Sequence, residues 1–426
     1  MIRFLFKGLF RDKSRSLLPL TVVAIGVMLA VFARGYIKGI MVEMIEQTAR
    51  ITTGHVKVTT KAYAENIDQV PNDLALLEVS DLKADLGQAF PGMKWVTRIK
   101  FGGLIDVPDE NGETRNQGPS MGIGLDLFSE DSDEAERLNL NKALVRGSLP
   151  AASGEVLLSE DFSRKLEVNP GEEVTMIGST MNGGMAIHNF RISGTVRFGN
   201  TGMDRGTVIA DISDVQLALD MEDAAGEILG FFDSGYYDDE TAAPVLTEFR
   251  NKFPAGENEF GPVILRLRDQ EGLNLYVDLT ESMGAIITII FMVAMSLVLW
   301  NAGLLGGLRR YGEIGIRLAI GEEKGHIYRS MISESTIIGI AGTVVGTAIG
   351  LGLSWLMQTK GLDISEFTKN ATTAIMMPNI VHSRITPPDF YIGFIPGVLS
   401  TVIGTMLSGV GIYKRKTAQL FKELEA

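Results

Sequence analysis

Three stretches without a single Asp, Glu, Lys or Arg constrain this chain more than any other feature: Met283–Leu308, Ser335–Gln358 and Phe390–Tyr413. A hydrocarbon core about 30 Å thick is crossed by roughly 20 residues at helical rise, and each stretch exceeds that length. Charge-free runs this long read as transmembrane helices over 283–308, 335–358 and 390–413 rather than as buried core helices. A fourth run, Leu17–Ala33, is shorter, but apolar residues continue at helical spacing through "RGYIKGIMVEMIEQTAR". That continuation predicts a first span over 17–40 whose helix emerges beyond the bilayer.

Orientation follows from the cations near the spans. Residues 1–16, 307–330 and 413–426 carry net +4, +2 and +2 in a chain of −13, so the remainder stands at −21. The positive-inside rule places the three basic segments in the cytoplasm, with both termini there and the acidic remainder outside. In front of the first span, "MIRFLFKGLFRDKSRS" puts Ile2, Leu5, Phe6 and Leu9 on one helical face and Arg3, Lys7 and Arg11 on the other. This is the pattern of an interfacial helix over 1–16, with a frayed basic end as the alternative. No Ala-x-Ala-like site follows the apolar run, so an uncleaved first span is expected rather than a signal peptide.

The long insertion, 41–282, reads as an α+β domain, either one large body or two lobes, with two lobes preferred. Strand-like runs include "HVKVTT", "VTRIKFGGLIDV", "EVLLS", "EVTMIG", "NFRISGTVRF", "GTVIADI" and "PVILRLR", and Asn169-Pro170-Gly171 supplies a turn. Helical spacing appears in "SEDFSRKLEV", "ISDVQLALDM" and "PVLTEFRNKF". Pro108–Gln117, "SEDSDEAER" and "GYYDDETAAP" read as exposed loops. The expected architecture is therefore an α-helical membrane protein with four transmembrane helices, one before and three after a large α+β extracytoplasmic domain. A second external loop spans 359–389 and a cytoplasmic tail 414–426.

Little in the sequence points to catalysis. The chain has no cysteine, which excludes a disulfide scaffold, a Cys-based zinc site and a Cys nucleophile. His55, His188, His326 and His382 are far apart and fit no metal-ligand spacing, so no metal site is expected. No GxSxG elbow and no GxxxxGK[ST] loop occurs, so no catalytic residue is assigned and no nucleotide site of that kind.

Two patterns remain. Gly342, Gly346 and Gly350 recur every four residues on the third span, with Gly339 close by, which permits close helix approach within the chain or across a dimer. Glu334 lies at the cytoplasmic end of that span. Between the second and third spans, over 309–334, "RRYGEIGIRLAIGEEKGHIYRS" places Tyr311, Ile314 and Leu318 on one helical face. Gly321 can end that helix, and Glu322 and Glu323 suit the start of the next. A plain polar connector needs no apolar face, whereas a docking element does.

That segment, extended as "RRYGEIGIRLAIGEEKGHIYRSMISES", resembles the signature of the FtsX/MacB/LolC-LolE family of ABC-transporter permeases. The likeness covers the whole chain. Within the insertion, "TGHVKV", "MGIGLDLFSED", "LVRGSLPAASGEVLLSEDFSRKLEVNPGEEVTMIG" and "RISGTVRFGNTGMDRGTVIADISDVQLALDM" are similar to the lipoprotein-releasing and MacB-type domain. One departure is the tail "YKRKTAQLFKEL", which lacks the proline common after the last span in relatives.

The resemblance implies a mechanotransmission permease in the bacterial inner membrane, non-catalytic itself and binding no nucleic acid. It would sit on a dimer of separate ATPase chains that hold the ATP and Mg, paired with a second permease subunit, the same chain or a related one. Glu313, Ile314, Arg317, Leu318, Ala319, Ile320 and Gly321 would form the element docked on the ATPase. Extraction of lipoproteins is the leading role, with a periplasmic chaperone or adaptor as a further partner. FtsX-like control of a periplasmic hydrolase and MacB-like efflux of peptides or drugs stay open. For a lipid-anchored cargo, Ile37, Ile40, Met41, Met44 and Ile45 offer an apolar face opposite a wet one carrying Arg34, Lys38, Glu43 and Glu46. Packing on another span is the equal alternative.

Overall fold

The computed structural model describes residues 13–199, 201–254, 256, 258–270, 273–308, 311–363 and 380–414. The interfacial helix expected over 1–16 falls almost wholly outside these, as do Arg309, Arg310 and the tail beyond residue 414. The described chain divides into two compact units: a helical unit (13–41, 279–363 and 380–414) and the insertion (42–278).

Among the described residues, four helices are long and apolar enough to cross a membrane. Three run past the boundaries set by charge, as Lys13–Thr48, Leu273–Leu308 and Lys324–Lys360. At 1.5 Å per residue the last of these is about 55 Å long, well beyond a hydrocarbon core of about 30 Å. Charge stops a helix from lying in lipid but does not stop it from being a helix. The fourth begins irregularly, with a 3-10 turn at Pro387–Phe390 and a π-helical stretch at Ile395–Ser400 before Thr401–Lys414. Val23, Val27 and Val31 of the first helix form a core with Leu299 of the second.

The insertion is built on twelve strands: β1 (Val56–Thr60), β2 (Leu76–Leu77), β3 (Met93–Pro108), β4 (Thr114–Leu125), β5 (Leu144–Gly147), β6 (Glu155–Ser159), β7 (Glu173–Ser179), β8 (Met185–Val196), β9 (Thr207–Asp211), β10 (Ala224–Ala225), β11 (Glu227–Phe232) and β12 (Pro262–Arg266). Ten form one sheet in the order β12-β1-β11-β3-β4-β9-β6-β8-β5, with β7 joining β3 to β8; β2 and β10 form a separate pair. It is a mixed sheet, because β4 runs parallel to β9 and β6 parallel to β8. The long β3 pairs with β11 through Met93–Arg98 and with β4 from Ile99 onward. The long β3 thus ties the two halves of the sheet together, and an apolar core cluster draws on residues from Val56 to Ile264.

Three expected loops are shorter than their composition suggests. Pro108–Gln117 is a tight hairpin in which the Asp109 carboxylate accepts from the amides of Asn111 (2.8 Å) and Glu113 (2.9 Å), and Gly112 takes a positive φ, so β4 already starts at Thr114. In "SEDSDEAER" a helical turn forms at Glu134–Arg137. In "GYYDDETAAP" Asp238 caps a helix over Asp239–Lys252, its carboxylate accepting from the Thr241 amide. Capping and side-chain pairing order these polar stretches, and the helix begun at Asp239 then buries Ala242, Leu246 and Phe249.

Candidate functional site

The loop between the second and third membrane helices is a helix over Tyr311–Ala319, closed by Gly321 at φ +98°. The third helix then starts at Lys324 with Glu323 as its N-cap. The Arg317 guanidinium donates two hydrogen bonds to the Glu322 carboxylate, at 2.6 and 2.5 Å, across this turn. That fork raises Arg317 above, and lowers Glu322 below, its usual range, so both stay charged through the physiological interval.

The face expected to dock on a partner is already occupied. Ile314 is buried against Ile327 and Met331 of the following helix, and Leu318 packs on the same cluster. Burying these two side chains is what folds the short helix back onto its neighbour. Ile316 and Ile320 point the other way, at 48% and 81% exposure, with Glu313, Ala319 and Gly321 also exposed. Of the residues expected to dock, Ile314 and Leu318 are thus packed within the chain, and the uncovered apolar side chains of this helix are Ile316 and Ile320.

The glycine row packs within the chain. A Cβ on Gly342 would lie 2.7 Å from the Val23 side chain, one on Gly346 2.4 Å from the Ala24 carbonyl oxygen, and one on Gly350 2.9 Å from that of Met28. All three contacts are with the first helix.

Beyond Ala33, Ile37, Ile40 and Met44 are half-buried, whereas Ile45 is buried against Leu267 and Val277, and Met41 lies over Gly284. Ile45 and Met41 are therefore packing residues. The face opposite is wet only in part: Lys38 is exposed and Arg34 half-buried. Glu43 and Glu46 are buried; Arg50 donates to both, and Glu46 also accepts from His55 Nε2 at 2.9 Å and from the Tyr237 amide at 3.2 Å. Since His55 Nδ1 accepts from the Phe232 amide, its ring hydrogen is on Nε2 and is donated to Glu46.

Sequence reasoning missed the socket that receives the end of this helix. The carbonyls of Arg50 and Ile51 accept from the fully buried Arg98 (both 2.8 Å), that of Thr52 from Lys100 (3.1 Å) and that of Thr53 from Gln270 (3.3 Å). Helix ends leave such carbonyls without partners and carry partial negative charge, so two cations there satisfy both needs. Glu134, also fully buried, accepts from Arg98 at 2.6 Å and balances its charge. On the neighbouring strands Lys57 and Lys100 share Glu227 Oε1 at 2.6 and 3.0 Å. Alternation places Lys57 and Arg98 on the sheet face opposite Val56, Val58 and Ile99, so residue spacing alone gave no signal that these cations are buried. Among the described residues no group of three His, Cys, Asp or Glu is arranged to hold a metal.

The model of the MacB-like periplasmic core domain matches residues 16–245, more than half of the chain, and that of the FtsX-like permease C-terminal domain matches 285–417. The lipoprotein-releasing system transmembrane protein LolC of Xylella fastidiosa strain 9a5c is 26% identical over 263 residues, 60% of each chain. That of strain Temecula1 is 26% identical over 53% of each. The chain thus spans 53–60% of the length of these curated relatives. The macrolide export ATP-binding/permease protein MacB of Wolinella succinogenes is 33% identical over 86 residues, 20% of this chain and 13% of that one. Among solved structures, the periplasmic region of MacB from Actinobacillus actinomycetemcomitans aligns at 16% identity with a TM-score of 0.36, over 55% of this chain and 98% of that one. The two family matches together cover nearly all of the described residues, and the chain belongs to the ABC-transporter permeases of the LolC, MacB and FtsX type.

Proposed function

We propose that this chain is the membrane subunit of an ATP-driven complex in the bacterial inner membrane, and that it passes the motion of a separate ATPase to its inserted domain to release lipoproteins. The observation that carries the coupling role is the helix Tyr311–Ala319. It is locked by the Arg317–Glu322 fork and by Ile314, yet it presents Ile316 and Ile320 uncovered. Isoleucines that remain exposed on a rigid, charge-flanked helix fit a groove in a partner. The lipoprotein reading draws support from the LolC relatives, which align over more of the chain than the MacB relative does. In this reading the chain is non-catalytic, ATP and Mg reside on the ATPase dimer, and a second permease subunit completes the complex.

Replacing Ile316 and Ile320 together by Asp is expected to weaken co-purification of the ATPase by about tenfold or more. Thermal stability of the membrane subunit should stay near wild type, because both side chains are exposed. Wild-type recovery of the ATPase with normal stimulated hydrolysis in this double variant would remove the docking role. For cargo, photo-crosslinkers at the half-buried Ile37 and Ile40 in native membranes are expected to yield lipoprotein adducts. Adducts confined to permease chains would instead favour efflux or signalling.

A further inference from the structure

Where the charge-free part of the first helix ends, a short segment crosses it. Val381–Asp389, entering from a two-residue strand pair (Leu362–Asp363 with Ile380–Val381), lies against the first helix at Arg34, Gly35 and Gly39. The Arg384 amide donates to the Gly35 carbonyl at 3.0 Å, and the Ile385 amide to the Gln358 side chain of the third helix at 3.2 Å. Two glycines make the approach possible. A Cβ on Gly39 would meet the His382 carbonyl oxygen at 1.9 Å, and one on Gly35 would meet Ser383 Oγ at 2.8 Å and Ser354 Oγ at 3.1 Å.

An ion pair fastens this strap. Asp389, 2% exposed, accepts from the Thr386 amide (2.6 Å) and hydroxyl (2.8 Å) and pairs with the Arg34 guanidinium, which also donates to Thr386 Oγ1 at 3.2 Å. The closed arrangement has a cost beside it. Ser354 Oγ and Ser383 Oγ are buried without a hydrogen-bond partner among the described residues, directly over Gly35. Buried unpaired hydroxyls oppose the state that buries them, and that opposition ends once water reaches them.

We infer that Arg34 and Asp389 are positioning residues forming a latch that holds the strap Val381–Asp389 on the first helix, and that release of this latch frees the strap while the glycine-packed contact of that helix with the third stays closed. The stabilising ion pair and the unpaired hydroxyls act in opposite directions, so the strap opens at lower cost than the glycine-packed helices separate. The part of the latch in a working cycle rests on the permease role proposed above; the latch itself does not.

The test is amide hydrogen exchange on the full chain in lipid nanodiscs, without any ATPase. Arg34→Gln removes the charge, Arg34→Lys keeps it, and Gly39→Ala lifts the strap by volume alone. Exchange at the Arg384 and Ile385 amides is expected to rise about tenfold or more in Arg34→Gln and Gly39→Ala, and less in Arg34→Lys, while residues 342–350 keep wild-type protection. Unchanged exchange at Arg384 and Ile385 in both Arg34→Gln and Gly39→Ala would overturn the latch. So would loss of protection spreading through 342–350, which would make the pair a general stabiliser of the bundle. Failure of the permease role would show instead at Ile316 and Ile320, with these exchange rates unaffected.

Discussion

Glu227→Leu is expected to destabilise the inserted domain by about 3–5 kcal/mol, a large share of the 5–15 kcal/mol that holds a typical domain together. The carboxylate is fully buried and is the shared acceptor of Lys57 and Lys100. Removing it leaves two ammonium groups facing each other from β1 and β3, on either side of β11. Lys100 retains partial access to water, but Lys57 on β1, between β12 and β11, is buried. Burial pushes Lys57 down to about 8 even with Glu227 present, so its charge depends on that partner. The double variant Lys57→Met/Glu227→Leu is expected near wild-type stability, because an apolar pair of similar volume replaces the buried ions and Lys100 can extend to solvent. Protease resistance of the full chain in detergent reads out both; equal losses in the single and double variants would mean that volume, not charge, controls the site.

Acid adds a second reading of the same group. Burial alone would raise Glu227, but Lys100 and Lys57 bring it below the ordinary carboxylate value. A depressed carboxylate contributes stability above its unfolded value of about 4.5 and loses it as pH falls through the lower folded one. The wild-type domain should therefore weaken in that acid window, and Glu227→Leu should lack this component of the loss.

Gly346→Leu is expected to lower the stability of the helical unit by roughly 3 kcal/mol and to abolish whatever activity the complex has. Its Cβ would press on the Ala24 carbonyl oxygen at 2.4 Å and on Val27 at 2.9 Å. A helix backbone cannot rotate away as a side chain can, so the two helices must separate. Gly352→Leu is the control, since nothing lies within 4 Å of a Cβ there. Equal thermal stability of Gly346→Leu and Gly352→Leu in detergent would show that the close approach has no energetic weight.

The membrane architecture was legible because it depends on a one-dimensional quantity, the length of chain without charge, and each charge-free stretch falls on one of four helices long and apolar enough to cross a membrane, three of which run past it. Most strands were equally readable from alternation, "HVKVTT" and "EVLLS" among them. Thr114–Leu125 was not, because "TRNQGPSMGIGL" carries three glycines and few β-branched residues. It becomes a strand through its partners: Phe101 lies across Gly122, filling space that no side chain of Gly122 occupies.

The candidate site divides along the same line. Sequence alone determined that a short helix bounded by Gly321 separates two spans and that Gly342, Gly346 and Gly350 share a face, since both follow from residue spacing along one helix. Only the tertiary structure decided which faces are free. Ile314 and Leu318 look like a docking surface until Ile327 and Met331 are seen to cover them, leaving Ile316 and Ile320 outside. Glu43 and Glu46 look like a wet face until Arg50 and His55 are seen to enclose them. Arg34 and Asp389, 355 residues apart, carry no mutual signal in the sequence at all. Periodicity tells which residues share a side of an element, whereas exposure depends on what the rest of the chain brings against that side.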